Sequence, residues 1–195
     1  MTVAGVLLAA GAGSRFLADG GEAVAEHKLT APFRGKPVIV WSLLAADEAN
    51  FNELYVITGA VDVSDLVTET LGDRATVIHN PRWAEGQSTS VRLAAAVAEQ
   101  DGHRAMVIGL ADQPLVPASA WRSVGASAGL IVTASFDGQR RPPVKLERSV
   151  WGDLPDSGDE GARSLFRLRP ELVSELPCSG NPVDIDTLED LQQWS

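Results

Sequence analysis

A chain of 195 residues, 45% hydrophobic and 22% charged, is long enough to bury one sizeable core and too apolar to be disordered. Its net charge of −10 argues against a protein that coats nucleic acid, and its single cysteine, Cys178, excludes an intramolecular disulfide and a cysteine-rich zinc site. With no bilayer-length apolar run and no leader pattern before the first strand, the expectation is a cytoplasmic protein without nucleic-acid or membrane partners.

The apolar run of residues 3–9 reads as a buried strand. It ends in a glycine-rich turn, Ala10-Gly11-Ala12-Gly13-Ser14-Arg15, where glycines bring backbone N–H groups close to an anion and Arg15 adds a guanidinium. Residues 17–26, containing Asp19-Gly20-Gly21, read as a loop placed to act as a lid. A helix is expected over 37–49 with Pro37 in its first turn, a strand over 54–58, and a helix over 64–71 capped by Ser64. A strand over 75–79 precedes an Ala-rich helix over 88–100, for which Ser88 is the expected cap. A strand over 105–110 then leads to a helix over 117–124. Residues 130–135 and 143–146 flank Asp137-Gly138 as a late hairpin, with Arg140 and Arg141 read as solvated loop. A further strand is expected over 172–176, and a closing helix over 187–194, where Thr187 and Asp190 stand at capping-box spacing.

This alternation predicts one α/β domain over residues 1–195, a mostly parallel sheet with helices on both faces and a late antiparallel hairpin. Ligands of such sheets bind at the carboxyl ends of the strands. The glycine turn, residues 80–87 and Ala111-Asp112-Gln113-Pro114 should therefore meet at one edge.

Each motif also has a structural reading. The turn lacks a dinucleotide fingerprint, because Phe16 stands where a third glycine belongs, and a plain strand-to-helix turn competes with a phosphate grip. Asp112, at a strand's carboxyl end, suits a Mg²⁺ ligand or a turn cap. Asp184 and Asp186 alternate in Asp-Ile-Asp-Thr, so they share a face and repel unless a cation lies near; otherwise they form a solvated pre-helix segment. Ser88, Thr89 and Ser90 offer hydroxyls at a helix start. His27, His79 and His103 have no metal spacing and read as structural or surface residues, and Trp83 as packing. Arg163, in Asp159-Glu160-Gly161-Ala162-Arg163, suits an anion or marks a helix start.

In order, Leu8–Arg15 with Lys28, Gly86–Ser90, Ala111–Pro114, Gly158–Arg163 and Asp184–Asp190 resemble the MobA-like nucleotidyltransferase family, above all its molybdenum cofactor cytidylyltransferases. The resemblance implies a three-layer α/β/α Rossmann-like nucleotidyltransferase fold that transfers a nucleoside monophosphate and releases pyrophosphate. Arg15 and Lys28 would hold the triphosphate, and Leu8, Ala9, the amides of residues 10–14, Gly86, Ser88 and Ser90 would bind nucleotide. Asp112 with Asp186 or Asp184 would hold Mg²⁺. Gln113, Pro143, Asp159 and Arg163 would face a phosphate-bearing acceptor such as molybdopterin, and a molybdenum hydroxylase is an implied partner. Ala10-Gly11, where guanylyl members tend to carry Gly-Gly, leans the nucleotide toward CTP.

The long gap from Arg15 to Lys28 implies that a rearranged loop is needed for Lys28 to reach the site. Pro142-Pro143 in place of the family's His-Pro leaves the acceptor open. Two other activities remain on this scaffold: a nicotinamide-dependent oxidoreductase like a nicotine blue reductase, and a non-catalytic partner for molybdoenzyme maturation.

Overall fold

In the computed structural model, which describes residues 2–195, seven strands form one sheet around β1 (Val3–Ala9). Period-two side-chain direction makes β1 two-sided. Leu7 and Ala9 join one buried cluster, while Ala4, Val6 and Leu8 join the other. A strand buried on both faces cannot alternate with polar residues, which explains its continuous apolar run.

After β1 come α1 (Ser14–Ala18), a two-residue hairpin of β2 (Pro32–Phe33) and β3 (Lys36–Pro37), and α2 (Val38–Glu48). Next are β4 (Glu53–Thr58), α3 (Ser64–Leu71), β5 (Thr76–His79), α4 (Gln87–Gln100), β6 (Ala105–Leu110) and α5 (Ala118–Ala126). The chain closes with β7 (Ile131–Phe136), β8 (Gln139–Glu147), α6 (Ser164–Leu168), β9 (Val173–Pro177) and α7 (Leu188–Trp194). The strand order is β5-β4-β1-β6-β8-β7-β9, with only β8 antiparallel to its neighbours. Helices α2, α3, α5 and α7 pack on one face, and α4 and α6 on the other. No helix among the described residues is long and apolar enough to cross a membrane.

The late hairpin is therefore integral to the sheet: β8 completes the free edge of β6, and β7 and β9 extend beyond it. Arg140 and Arg141 lie within β8 rather than in a solvated loop. Its partners run Thr133 with Val144, then Ala134 with Arg141, so Pro142 and Pro143 are extra residues on that strand. Prolines suit this position because a bulge leaves no ladder bond for them to donate.

Two expected caps take other roles. Asp62, not Ser64, closes the start of α3, its Oδ1 accepting the Ser64 N–H at 2.9 Å. Ser88 lies one residue inside α4, buried, with its Oγ accepting the Gly161 N–H at 3.2 Å. Thr187 and Asp190 form a reciprocal capping box on α7. Within residues 17–26, expected as a loop, α1 runs to Ala18, Gly21–Ala23 form a 3-10 turn, and Gly21 packs on buried Phe16.

Candidate active site

The carboxyl ends of β1, β4, β5 and β6 lie on one edge, and a cleft of about 680 Å³ opens there. The residues 10–13 turn forms its floor, and the N–H groups of Gly11, Ala12 and Gly13 meet no protein acceptor among the described residues. Gly13 requires glycine because its φ is +63°, and a Cβ there would stand 2.9 Å from the His27 ring.

His27 pins the turn to the segment carrying Lys28. Its Nδ1 accepts the Leu29 N–H at 3.1 Å, which leaves the proton on Nε2 to donate to the Gly11 carbonyl at 3.0 Å. Burial lowers the imidazole pKa, so this neutral form holds at ordinary pH. Lys28 is thereby turned inward in the resting structure with no loop rearrangement. Its Nζ donates to Asp112 Oδ2 at 2.6 Å and Asp186 Oδ1 at 2.7 Å, and Arg15 Nη1 donates to Asp186 Oδ2 at 2.7 Å.

The two carboxylates come from distant parts of the chain. Asp112 follows β6 directly. Asp186 precedes α7, and the Ile185 N–H donates to the Asp112 carbonyl at 2.9 Å, joining the two segments. Ile185 is buried between Asp184 and Asp186, which turns both acids toward the cleft. Asp190 accepts the Asp186 N–H at 3.1 Å, so the cap of α7 also sets the position of Asp186. Asp184 accepts from Gln113 Nε2 at 2.9 Å.

The electrostatics follow from these contacts. Burial works against the Lys28 ammonium, but Asp112 and then Asp186 outweigh it and raise its pKa. Burial would also raise Asp186, yet Lys28 and Arg15 hold it below the usual carboxylate value. Asp184 moves the other way: burial raises its pKa, neighbouring Asp112 adds to the rise, and the Gln113 hydrogen bond opposes it. Asp186 is thus held in its charged form by Lys28 and Arg15, while Asp184 is pushed toward its neutral form.

The donor set fits a hard divalent cation. Asp112 Oδ1 is buried and has no hydrogen-bond partner. Among the described residues no three His, Cys, Asp or Glu side chains converge closely enough to hold a metal alone. A divalent cation held by so few carboxylates would have to complete its shell from substrate phosphates.

The other motifs close the wall of the cleft. Gly86 has a φ of +106°, and a side chain there would overlap the Gly158 carbonyl. Around this contact the Ser88 N–H donates to Gly158 and the Gly158 N–H donates to Glu85, each at 2.9 Å. Two motifs far apart in sequence thus form one clasp, which brings Asp159 and Arg163 to the cleft. Arg163 ends a 3-10 turn over Gly161–Arg163 and directly precedes α6, in keeping with the helix-start reading of its motif.

Of the expected site residues, Leu8, Ala9, Ala10, Gly11, Ala12, Gly13, Arg15, Lys28, Gly86, Ser90, Asp112, Asp159, Arg163, Asp184 and Asp186 line this cleft. Ser14 begins α1 and Ser88 serves the clasp; neither lines it. Gln113 reaches a smaller adjoining pocket of about 60 Å³, walled by Ile108, Val144 and Phe166, with Arg141 and Pro142 at one side. Pro143 lies on the other side of β8, against Trp121 and Val116. The bulge separates the two prolines, so it is Pro142 that borders the cleft region. Sequence reasoning passed over His27, Trp83 and Gln87 as site-forming residues. For His27, its place directly before Lys28 was the available signal.

The MobA-like NTP transferase domain matches residues 5–175. The chain belongs to that family. This MobA-like protein is 30% identical over 203 residues to the purine catabolism protein PucB of Bacillus subtilis (strain 168), covering 95% of this chain and 92% of PucB. It is 28% identical over 202 residues to nicotine blue oxidoreductase of Paenarthrobacter nicotinovorans, covering 97% and 94%. The crystal structure of Rv0371c from Mycobacterium tuberculosis H37Rv superposes with a TM-score of 0.81 at 27% identity, over 99% of this chain and 97% of that one. The MobA-like chain is a nucleotidyltransferase with the fold expected of it.

Proposed function

We propose that this transferase moves CMP from CTP, with Mg²⁺, onto a phosphate-bearing acceptor such as molybdopterin, releasing pyrophosphate. The observation that carries the reading is the convergence, in one cleft, of free turn amides, Arg15 and Lys28 with the carboxylates of Asp112 and Asp186. Phosphoryl-type transfer demands positioning and charge neutralisation rather than a protein nucleophile, and these groups supply both.

In this mechanism the amides of Gly11, Ala12 and Gly13 receive phosphate oxygens, and Arg15 and Lys28 bind the β- and γ-phosphates as they become the leaving group. Asp112 and Asp186 would hold Mg²⁺, which when bound would neutralise charge developing on the α-phosphate. The acceptor phosphate oxygen forms a bond to the α-phosphorus as the bond to the bridging pyrophosphate oxygen breaks. Arg163 and Arg141 face the adjoining apolar pocket and suit an acceptor with a flat apolar body and an anionic group. Ala10-Gly11 supports the choice of CTP. A molybdenum hydroxylase is the proposed recipient of the product, in the cytoplasm.

The decisive experiment is pyrophosphate release from CTP, GTP and ATP with Mg²⁺ and molybdopterin. Release with CTP alone is expected; equal inertness of all three sinks the reading. Likeness to nicotine blue oxidoreductase over 97% of this chain supports a second reading, a nicotinamide-dependent reductase. Buried Phe16 at the third-glycine position speaks against an ordinary dinucleotide loop. NADPH oxidation with a quinone-like dye separates the two.

A further inference from the structure

Lys28 holds Asp112 at 2.6 Å and Asp186 at 2.7 Å, while Arg15 holds the other Asp186 oxygen. A divalent cation shared by these acids would call on the same carboxylates, so the Lys28 ammonium competes with it for their oxygens.

The Lys28 backbone is not free to retreat. The His27 ring ties it to Gly11, and the Val38 and Ile39 N–H groups donate to Ala31 and Leu29 at 3.0 and 3.1 Å. What can move is the side chain, a point charge on a flexible four-carbon stem. With only 11% of that side chain exposed, water draws it out weakly. A triphosphate seated on the turn amides offers a stronger attraction, and its metal replaces the charge that Lys28 withdraws from the carboxylates.

We propose that Lys28 is an ionic latch: it shields Asp112 and Asp186 from free divalent cations and releases them when a nucleoside triphosphate draws its ammonium onto the phosphates. Metal and nucleotide then enter as a coupled pair. The latch rests on the nucleotidyltransferase reading for its triphosphate but predicts a metal-binding behaviour that is read without nucleotide. One observation supports it independently of the ion pairs: Asp112 Oδ1 is buried without a partner, so a ligand oxygen is held ready beside the blocked one.

The test titrates Mn²⁺ alone into wild type, Lys28→Met and Lys28→Arg, read by electron paramagnetic resonance of free Mn²⁺. Lys28→Met is expected to bind Mn²⁺ roughly tenfold tighter than wild type, and Lys28→Arg, which retains the charge, to stay weak. Wild type should gain about tenfold or more in Mn²⁺ affinity with a non-hydrolysable CTP analogue, and Lys28→Met should show less of that gain. Unchanged Mn²⁺ affinity in a folded Lys28→Met overturns the latch. If that variant fails to fold, equal wild-type Mn²⁺ affinity with and without the analogue overturns it instead. Should no nucleotide bind or react while Lys28→Met still binds Mn²⁺ tighter, the transferase reading fails and the shielding stands. Pyrophosphate release without that gain refutes the latch alone.

Discussion

One ammonium and one guanidinium neutralise two carboxylates at the centre of the cleft, and each contact can be removed separately. Asp112→Asn keeps the side-chain shape and loses the charge. It should lower kcat/KM for pyrophosphate release on the order of 10²–10³-fold, the range for losing one preorganised electrostatic group, and the melting temperature should fall as well because the largely buried Lys28 ammonium loses its first partner. A variant retaining wild-type rates would remove Asp112 from the mechanism. At the opposite end of the sheet, the Tyr55 hydroxyl donates to Asp101 at 2.6 Å and also meets Glu53. Burial first, and then these two acceptors, raise its pKa well above the ordinary value of 10. Its stabilising effect is complete below pH 10 and is lost as pH climbs from there toward the raised value, because the unfolded chain ionises first. Melting temperatures from pH 8 to 11 should therefore fall more steeply for wild type than for Tyr55→Phe; parallel curves would contradict this. Placement in the cleft was legible where residue type and strand position coincide, as at Asp112 and in the glycine turn. Ser88 and Pro143 were misplaced because a motif names neighbours in sequence, while helix phase and a bulge decide where side chains point.

Among elements, the segment between α1 and β2 determines whether Lys28 is held inward. His27→Ala removes both ring contacts and should cost about 1–3 kcal/mol in urea unfolding, with a raised KM for nucleotide. An increase in KM without any stability loss would mean that the ring acts on substrate rather than on this segment. The clasp between α4 and the loop after β8 depends on Gly86. Gly86→Ala strains a backbone at φ +106° and presses on Gly158, so a loss of about 1–3 kcal/mol or more is expected. An unperturbed unfolding curve would show that the clasp is dispensable. The strands and longer helices were readable because periodicity and punctuation agree with their burial. The β2–β3 hairpin and α6 carry too few residues to show a period, and they are set by tertiary contacts. The antiparallel insertion of β8 beside β6 was also hidden, since a hairpin pattern does not reveal which neighbour it joins.

For the whole molecule, a net charge of −10 opposes an incoming triphosphate, so the proposed binding would rely on the few cations around the cleft and on a divalent metal. A thermal-shift panel of CTP, GTP, ATP and NADPH should stabilise the protein most with CTP plus Mg²⁺, and chelation should abolish the shift. A metal-independent shift with NADPH would favour the reductase reading. Salt should weaken nucleotide binding, since Arg15 is 76% exposed on its side chain and is screened by ions.

Arg15 and Asp186 touch across 171 positions of chain. The glycine turn and its basic groups are therefore made long before the acid that completes the site. A nascent or truncated chain ending before Asp186 can carry the anion-binding turn yet lack one of its two proposed metal carboxylates. Such a chain would be expected to retain nucleotide without turning it over, which places the onset of catalysis after the segment carrying Asp186 has been made.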